Sequence, residues 1–487
     1  MSIDNINPII LIYLVIAVIV LLIASQPKSG AQIAKTILNQ KEKAMRPPLP
    51  AELKKKKPQE GDFILGKLGK HYSAWDINKD GHILILGGSG SGKSSCYILP
   101  LLMLNPDTAA YVIDIKGELH HKATRAGDSR ICVFAPYDHT SYGFNPFYAL
   151  SDSSTEQDIL ETMRTIAISL IPMGTSKDTF WPTSARNMLI GLMISYWNYG
   201  NHDLISIIDC ILGSPAKEQI EMIINESAPD SNQYKYLVQF FGMADETLMS
   251  VYSNMSNSLS CFSDLDLRWA FSEATQKVSP LTLEEKKSIY ISIPENKLAA
   301  YAAPLGMITN LTLMAMSKRP ESSHKILFVL DELARIVSGA GMDGLIDALM
   351  TFRSRRVTCV LAFQTIESLD TGFSEGQITT LVGNCAIKIV LDASSSKTQK
   401  MVCEDWVPKY LEHQQSKNAG EKTSYSYSFQ YSNRLHPADL MELIPHGEAV
   451  VVTPAGYTML EKVPYYKDKT LKQISDEIKN TRKEGSK

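Results

Sequence analysis

The sequence predicts an α/β protein: a doubly wound, mainly parallel sheet carrying an inserted all-α domain and preceded by one N-terminal transmembrane helix. Three observations lead there. Short Ile/Val/Leu-rich runs recur between helical patterns, the strand signal vanishes between about Ser151 and Glu285, and an uncharged apolar run lies near the N-terminus. The 487 residues exceed what one compact domain holds, so several units are expected.

The apolar run comes first. Pro8 to Ser25 reads PIILIYLVIAVIVLLIAS, close to the roughly 17–25 residues that a bilayer requires. It has no polar stripe, unlike a core helix, and no basic residue before it, unlike a signal peptide. Lys28, Lys35, Lys41, Lys43 and Arg46 follow, so the positive-inside rule puts the N-terminus outside and the bulk in the cytoplasm. Residues 1–27 are therefore expected to be a single-pass anchor. Residues 28–64, with Pro47, Pro48, Pro50 and Lys54–Lys57, read as a basic, proline-rich tether.

The apolar runs are His82–Leu86, Ala110–Ile113, Arg130–Phe134, Ser288–Ile293, Ile326–Leu330, Thr358–Phe363, Ala386–Leu391 and Ala449–Val452. Near-continuous apolar strands alternating with helices indicate a sheet covered on both faces. Residues 65–150 and 286–466 are expected to form this nucleotide-binding domain. Residues 151–285 are expected to form the all-α insertion. Ser154 and Gln157 have capping-box spacing there, and helical patterns recur at Ser184–Trp197, Leu204–Leu212, Ala216–Ile224 and Asp245–Ser260. Residues 467–487 read as a charged, solvated C-terminal tail.

Composition narrows the function. With 44% hydrophobic and 21% charged residues, the chain is an ordinary globular protein. A net charge of −3 gives no overall basic excess, so a nucleic-acid partner would need a local basic patch. Seven scattered cysteines without CxxC spacing argue for free thiols in a reducing compartment, against zinc or a disulfide framework.

One motif carries the chemistry. Gly87-Gly88-Ser89-Gly90-Ser91-Gly92-Lys93-Ser94 satisfies G-x-x-x-x-G-K-[ST] between strand His82–Leu86 and a helix from Ser95 to Leu104. Glycines let successive N–H groups turn toward a β-phosphate, and the helix N-terminus adds partial positive charge. Lys93 would reach the β- and γ-phosphates of ATP, and the Ser94 hydroxyl would ligate Mg²⁺. The apolar strand before Asp331-Glu332 ends in two acids. On a strand next to the P-loop, Asp331 would hold Mg²⁺ and Glu332 would orient or deprotonate water; adjacent acids at a strand end also cap helices. Gln364, ending the next strand, suits a γ-phosphate sensor. Arg353, in Phe352-Arg353-Ser354-Arg355-Arg356, is a candidate finger completing a neighbour's site, although clustered arginines also occur on solvated helix ends.

Together with Asp114-Ile-Lys116-Gly-Glu118, Asn145-Pro146, Phe180-Trp181 and Arg434-Leu-His-Pro-Ala-Asp439-Leu, these motifs resemble the type IV secretion coupling proteins. That family is the TraG/TraD-like branch of the RecA/FtsK-type motor ATPases. The resemblance runs from about Leu65 to Thr453. It implies a RecA-like ATPase of the bacterial inner membrane, hexameric when active, with sites shared between subunits. It also implies partners: components of a type IV secretion channel, and a relaxase–DNA complex, protein effectors or both as cargo. Asp114, Lys116 and Glu118 would support the site, a subunit contact or the fold alone. The single apolar run departs from members with two spans, and the short tail lacks the long C-terminal extension of others. A double-stranded DNA pump of the FtsK type, the alternative reading, shares the P-loop; the helical insertion and the Lys-Gly-Glu stretch favour the coupling protein. A receptor binding nucleotide without turnover would have no use for Glu332.

Overall fold

The computed structural model describes residues 47, 50–115, 117–151, 153–173, 178–334, 343–418 and 424–484. Its strands are β1 (Lys54–Lys55), β2 (Asp62–Leu68), β3 (His71–Asp76), β4 (His82–Leu86), β5 (Ala109–Ile113), β6 (Ile131–Phe134), β7 (Gly143–Phe144) and β8 (Lys277–Val278). Further on come β9 (Ser288–Ile291), β10 (Ile326–Leu330), β11 (Val357–Phe363), β12 (Cys385–Val390), β13 (Tyr410–Asn418), β14 (Ser424–Ser432), β15 (Glu448–Thr453) and β16 (Gly456–Glu461). A 12-stranded sheet has the order β1-β3-β2-β16-β15-β12-β4-β11-β10-β5-β9-β6, with β7–β8 and β13–β14 paired apart from it.

From β12 to β6 every neighbouring pair is parallel. These are seven of the eight predicted apolar strands, the eighth being β15, and β4, β5, β9, β10 and β11 are buried along their whole length. A strand covered on both faces has no polar side to show, so its sequence is a plain apolar run. Beyond β12 the sheet turns antiparallel through β15, β16, β2, β3 and β1. This wing corrects the tether expectation: Leu53, Phe63 and Ile64 are buried, so the chain joins the sheet well before residue 65.

The helices used below are α1 (Leu99–Leu104), α2 (Glu118–Ala123), α3 (Glu156–Leu170), α4 (Phe180–Asn198), α5 (Ala302–Ser317), α6 (Asp343–Phe352) and α7 (Lys469–Glu484). Helices also span Leu204–Gly213, Ala216–Glu226, Asn232–Leu237 and Asp245–Leu259. The capping box of α3 sits one residue later than its spacing suggests. Thr155 is the cap: its hydroxyl accepts from Asp158 N, and its own N donates to Asp158 Oδ2 at 3.0 Å. Asn310 of α5 donates to Ser169 Oγ of α3 at 2.9 Å, fastening the helical layer to a helix of the sheet. Residues 49–408 and 435–487 form one compact unit. The hairpin β13–β14 falls in a second unit, with its strands in antiparallel register from Tyr410↔Ser432 to Asn418↔Ser424.

Two terminal expectations change. The single-pass location is corrected: among the described residues no helix is long and apolar enough to cross a membrane. The longest of these, α4, carries Thr183, Ser184, Arg186 and Asn187 in its first half and is largely buried within the protein. Residues 8–25 lie outside the described residues. The C-terminal segment is not a solvated tail, because α7 buries Leu471 and Ile478, and Arg482 Nη2 donates to the carbonyls of His120 and Thr124 at 3.0 and 3.1 Å. Its charges cover one face while Leu471, Ile474 and Ile478 recur along the other. Leu471→Ala is expected to cost about 2–5 kcal/mol, read as a shifted urea midpoint; no shift would place the helix off the core.

Candidate functional site

The parallel strands end together, and their C-terminal edge collects the candidate residues. After Leu86 the chain turns sharply, with Gly87 N donating to Phe363 O of β11 at 3.2 Å. A Cβ at Gly87 would lie 2.5 Å from Ser91 Oγ and 2.8 Å from Leu391 Cβ, so this turn admits glycine alone. Gly90 and Gly92 have φ of +75° and +105°, which L side chains rarely adopt. The helix that follows opens with a wide turn, Ser94–Ile98, before α1.

Lys93 is 6% exposed, and its ammonium donates to the carbonyls of Gly87 (2.7 Å) and Gly88 (3.2 Å), 3.9 Å from Glu332 Oε1. Ser94 Oγ donates to Asp331 Oδ2 at 3.3 Å, across 237 residues of sequence. Gln364 Nε2 donates to Glu332 Oε2 at 3.3 Å. The structure thus gathers Lys93, Ser94, Asp331 and Glu332 into one cleft, with Gly88, Ser89, Gly90, Gly92 and Ser95 along its wall, and Gln364 joins them through its bond to Glu332. The strand order differs in one respect. β11, bearing Gln364, is inserted between β4 and β10, so the Asp331-Glu332 strand is one removed from the P-loop strand. The acids still reach Ser94 and Lys93, because β4 and β11 end together at Leu86 and Phe363 while β10 ends opposite Leu361, so the two residues after it run on to that same edge.

The cleft suits a divalent cation and phosphate. Asp331 Oδ1 and Ser91 Oγ are buried without a hydrogen-bond partner, and buried polar atoms are normally satisfied. A cation at Oδ1 beside the Ser94 hydroxyl would meet the hard oxygen donors that Mg²⁺ prefers. Burial, with Glu332 adjoining, pushes the Asp331 carboxyl up to about 6. Its raised folded pKa means a contribution to stability fully present below about 4, the unfolded range, and lost as pH rises through about 6. In the nucleotide-free protein Asp331→Asn should therefore raise the melting temperature at pH 8, with a smaller gain at pH 5. Equal gains at both pH values would show that charge burial is not the cause.

Asp114 also lines the cleft, buried, with Oδ2 accepting from His120 N at 3.0 Å and 3.1 Å from His120 Nδ1. Glu118, at the start of α2, adjoins it. Lys116 lies outside the described residues. Arg353 is not in the cleft of its own chain. It is 73% exposed, 4.0 Å from Asp80, and precedes the N-terminal end of β11, whereas Gln364 follows the opposite end. Two site neighbours carry no sequence signal. Asp392 Oδ2 lies 3.1 Å from where a Cβ of Gly88 would stand, and Lys462 reaches the P-loop backbone. Neither belongs to a local motif.

Residues 31–486 match the family model described as Type IV secretory system Conjugative DNA transfer. Protein VirD4 of Rhizobium radiobacter is 20% identical over 407 residues, taking in 81% of this chain. The chain spans 58% of the length of that curated relative. Among solved structures, the unbound bacterial conjugative coupling protein TrwBdeltaN70 has a TM-score of 0.65 at 15% identity, covering 84% of this chain and 90% of that one. Plasmid coupling protein TrwB in complex with the ATP analogue ADPNP also scores 0.65 at 15% identity, with 86% and 93% covered. VirB4 of Thermoanaerobacter pseudethanolicus scores 0.51 at 14% identity, with 86% and 99% covered. At these identities the structural likenesses establish the fold.

Proposed function

The chain belongs to the type IV secretory system conjugative DNA transfer family, the coupling proteins of type IV secretion, and on that premise we propose that it hydrolyses ATP to deliver substrates into a secretion channel. The substrates in this reading are relaxase-bound DNA, protein effectors or both. The observation that carries it is the meeting of Lys93, Ser94, Asp331, Glu332 and Gln364 at one sheet edge. TrwB in complex with ADP and Mg²⁺, on the same fold, adds support.

In this reading the amides of residues 88–95 cradle the phosphates, and Lys93 leaves the Gly87 and Gly88 carbonyls for phosphate oxygens. Ser94 and Asp331 would hold Mg²⁺, which when bound neutralises phosphate charge. Glu332 takes the proton of the attacking water, and Gln364 keeps the Glu332 carboxylate aimed. Phosphoryl transfer needs little covalent chemistry from the protein, so aim and charge supply most of the effect. Arg353, exposed and remote from its own cleft, would act only across a subunit boundary in a homo-hexameric ring. The helices between residues 151 and 285 form the proposed substrate-engaging domain.

The test is ATP hydrolysis by the full-length protein with and without single- and double-stranded DNA. A severalfold rise with DNA is expected. Nucleotide binding without hydrolysis under every condition would leave a recruiting receptor in place of a motor.

A further inference from the structure

A phosphate-binding loop turns its N–H groups inward, which forces its carbonyls outward, where each needs a donor of its own. Three of the carbonyls here are satisfied locally: Gly87 and Gly88 accept from Lys93, Gly88 also from Ser91 N, and Gly92 accepts from Cys96 N at 2.9 Å. The carbonyl of Ser91 is different. It accepts from the ammonium of Lys462 at 3.1 Å, a residue 371 positions away.

Lys462 is well placed to hold that bond. It follows β16 directly, and its own N donates to Gly447 O at 2.8 Å, so its backbone is part of the antiparallel wing. Three residues on, Tyr465 N donates to Ser95 O at 3.0 Å, and the Tyr465 ring packs on the core beside the P-loop helix. The segment 462–465 thus grips the loop at Ser91 and at the first turn of its helix. Lys462 is half-buried, and the positive charge it brings lies behind the cradle.

We propose that Lys462 is a positioning residue for nucleotide: by holding the Ser91 carbonyl outward it keeps the Ser91–Gly92 peptide N–H turned toward the phosphates. The inference rests on the nucleotide reading of the cleft. Without Lys462, the peptide before Gly92, whose φ of +105° leaves it free to swing, loses the contact that sets its orientation. Lys462 touches no substrate in this role. Its effect reaches nucleotide through one peptide plane and through its charge.

The test is calorimetric titration of the full-length protein with ADPNP and Mg²⁺, for wild type, Lys462→Met, Lys462→Arg and Lys93→Ala. Titration separates two quantities: stoichiometry reports the folded fraction, and Kd reports the site. Lys462→Met is expected to raise Kd about tenfold, or about 1.4 kcal/mol, at unchanged stoichiometry, with Lys462→Arg restoring it to within about threefold. An unchanged Kd overturns the proposal, whether stoichiometry holds or falls, since a merely structural lysine lowers stoichiometry alone. A raised Kd that Arg does not restore also overturns it. Wild-type protein that fails to bind, or Lys93→Ala that binds as well as wild type, refutes instead the nucleotide reading beneath it.

Discussion

Glu332→Gln is expected to leave ATP bound and to lower kcat about 10²–10⁴-fold, the contribution of a positioned general base. The glutamine has the same size and the same hydrogen-bonding reach, but no charge with which to accept a proton. Glu332 stands at φ +57°, a left-handed backbone that costs a non-glycine residue about 1–3 kcal/mol. That conformation accompanies a carboxylate that accepts from Gln364 on one side and faces Lys93 on the other. Affinity should stay within about threefold, because the charge is used in the transition state more than in the bound ground state. Single-turnover hydrolysis, paired with ADPNP titration, measures the two separately. Near-normal turnover would remove Glu332 from the chemistry and turn attention to Asp114, a buried acid that also lines the cleft.

Lys93→Ala acts one step earlier. Its ammonium is almost fully buried and is held by two loop carbonyls, which it would exchange for phosphate oxygens. Two hydrogen bonds to charged groups, at about 1.5–3 kcal/mol each, correspond to a loss of affinity of about 10²–10⁴-fold. The Gly87 and Gly88 carbonyls would lose that donor, so the loop itself would relax as well. Titration with ADPNP reads the effect directly, and wild-type affinity in this variant would dismiss the cleft as a phosphate site. The two variants should therefore fail differently, Lys93→Ala without nucleotide and Glu332→Gln with nucleotide trapped.

Much of this site is legible in the chain's residue pattern because its parts are local. A P-loop is a strand, eight residues and a helix in immediate succession, so the residues that shape it are neighbours in sequence. The Asp331-Glu332 pair announces itself at the end of a fully apolar strand for the same reason. The margins of the sheet are harder to read. β2 is broken after Leu65 by Gly66 and Lys67, and β3 is buried only over Ser73–Trp75, so their apolar runs are short, and Lys54–Lys57 ahead of β2 reads as tether. α7 hides three core contacts among many charges, because only one face of a surface helix needs to be apolar.

The sequence alone determined the α/β class, the parallel strands from β4 to β12, the P-loop and the carboxylate pair, since each follows from side-chain pattern over a few turns or one strand. Tertiary structure decided the rest. It inserted β11 between the P-loop strand and the acidic strand, set Arg353 at the far edge from its own cleft, and brought Asp392 and Lys462 beside the loop. Those facts depend on which strands pair and in what order. Pairing is a contest among non-local contacts spanning hundreds of residues, and no local pattern of residues records its outcome.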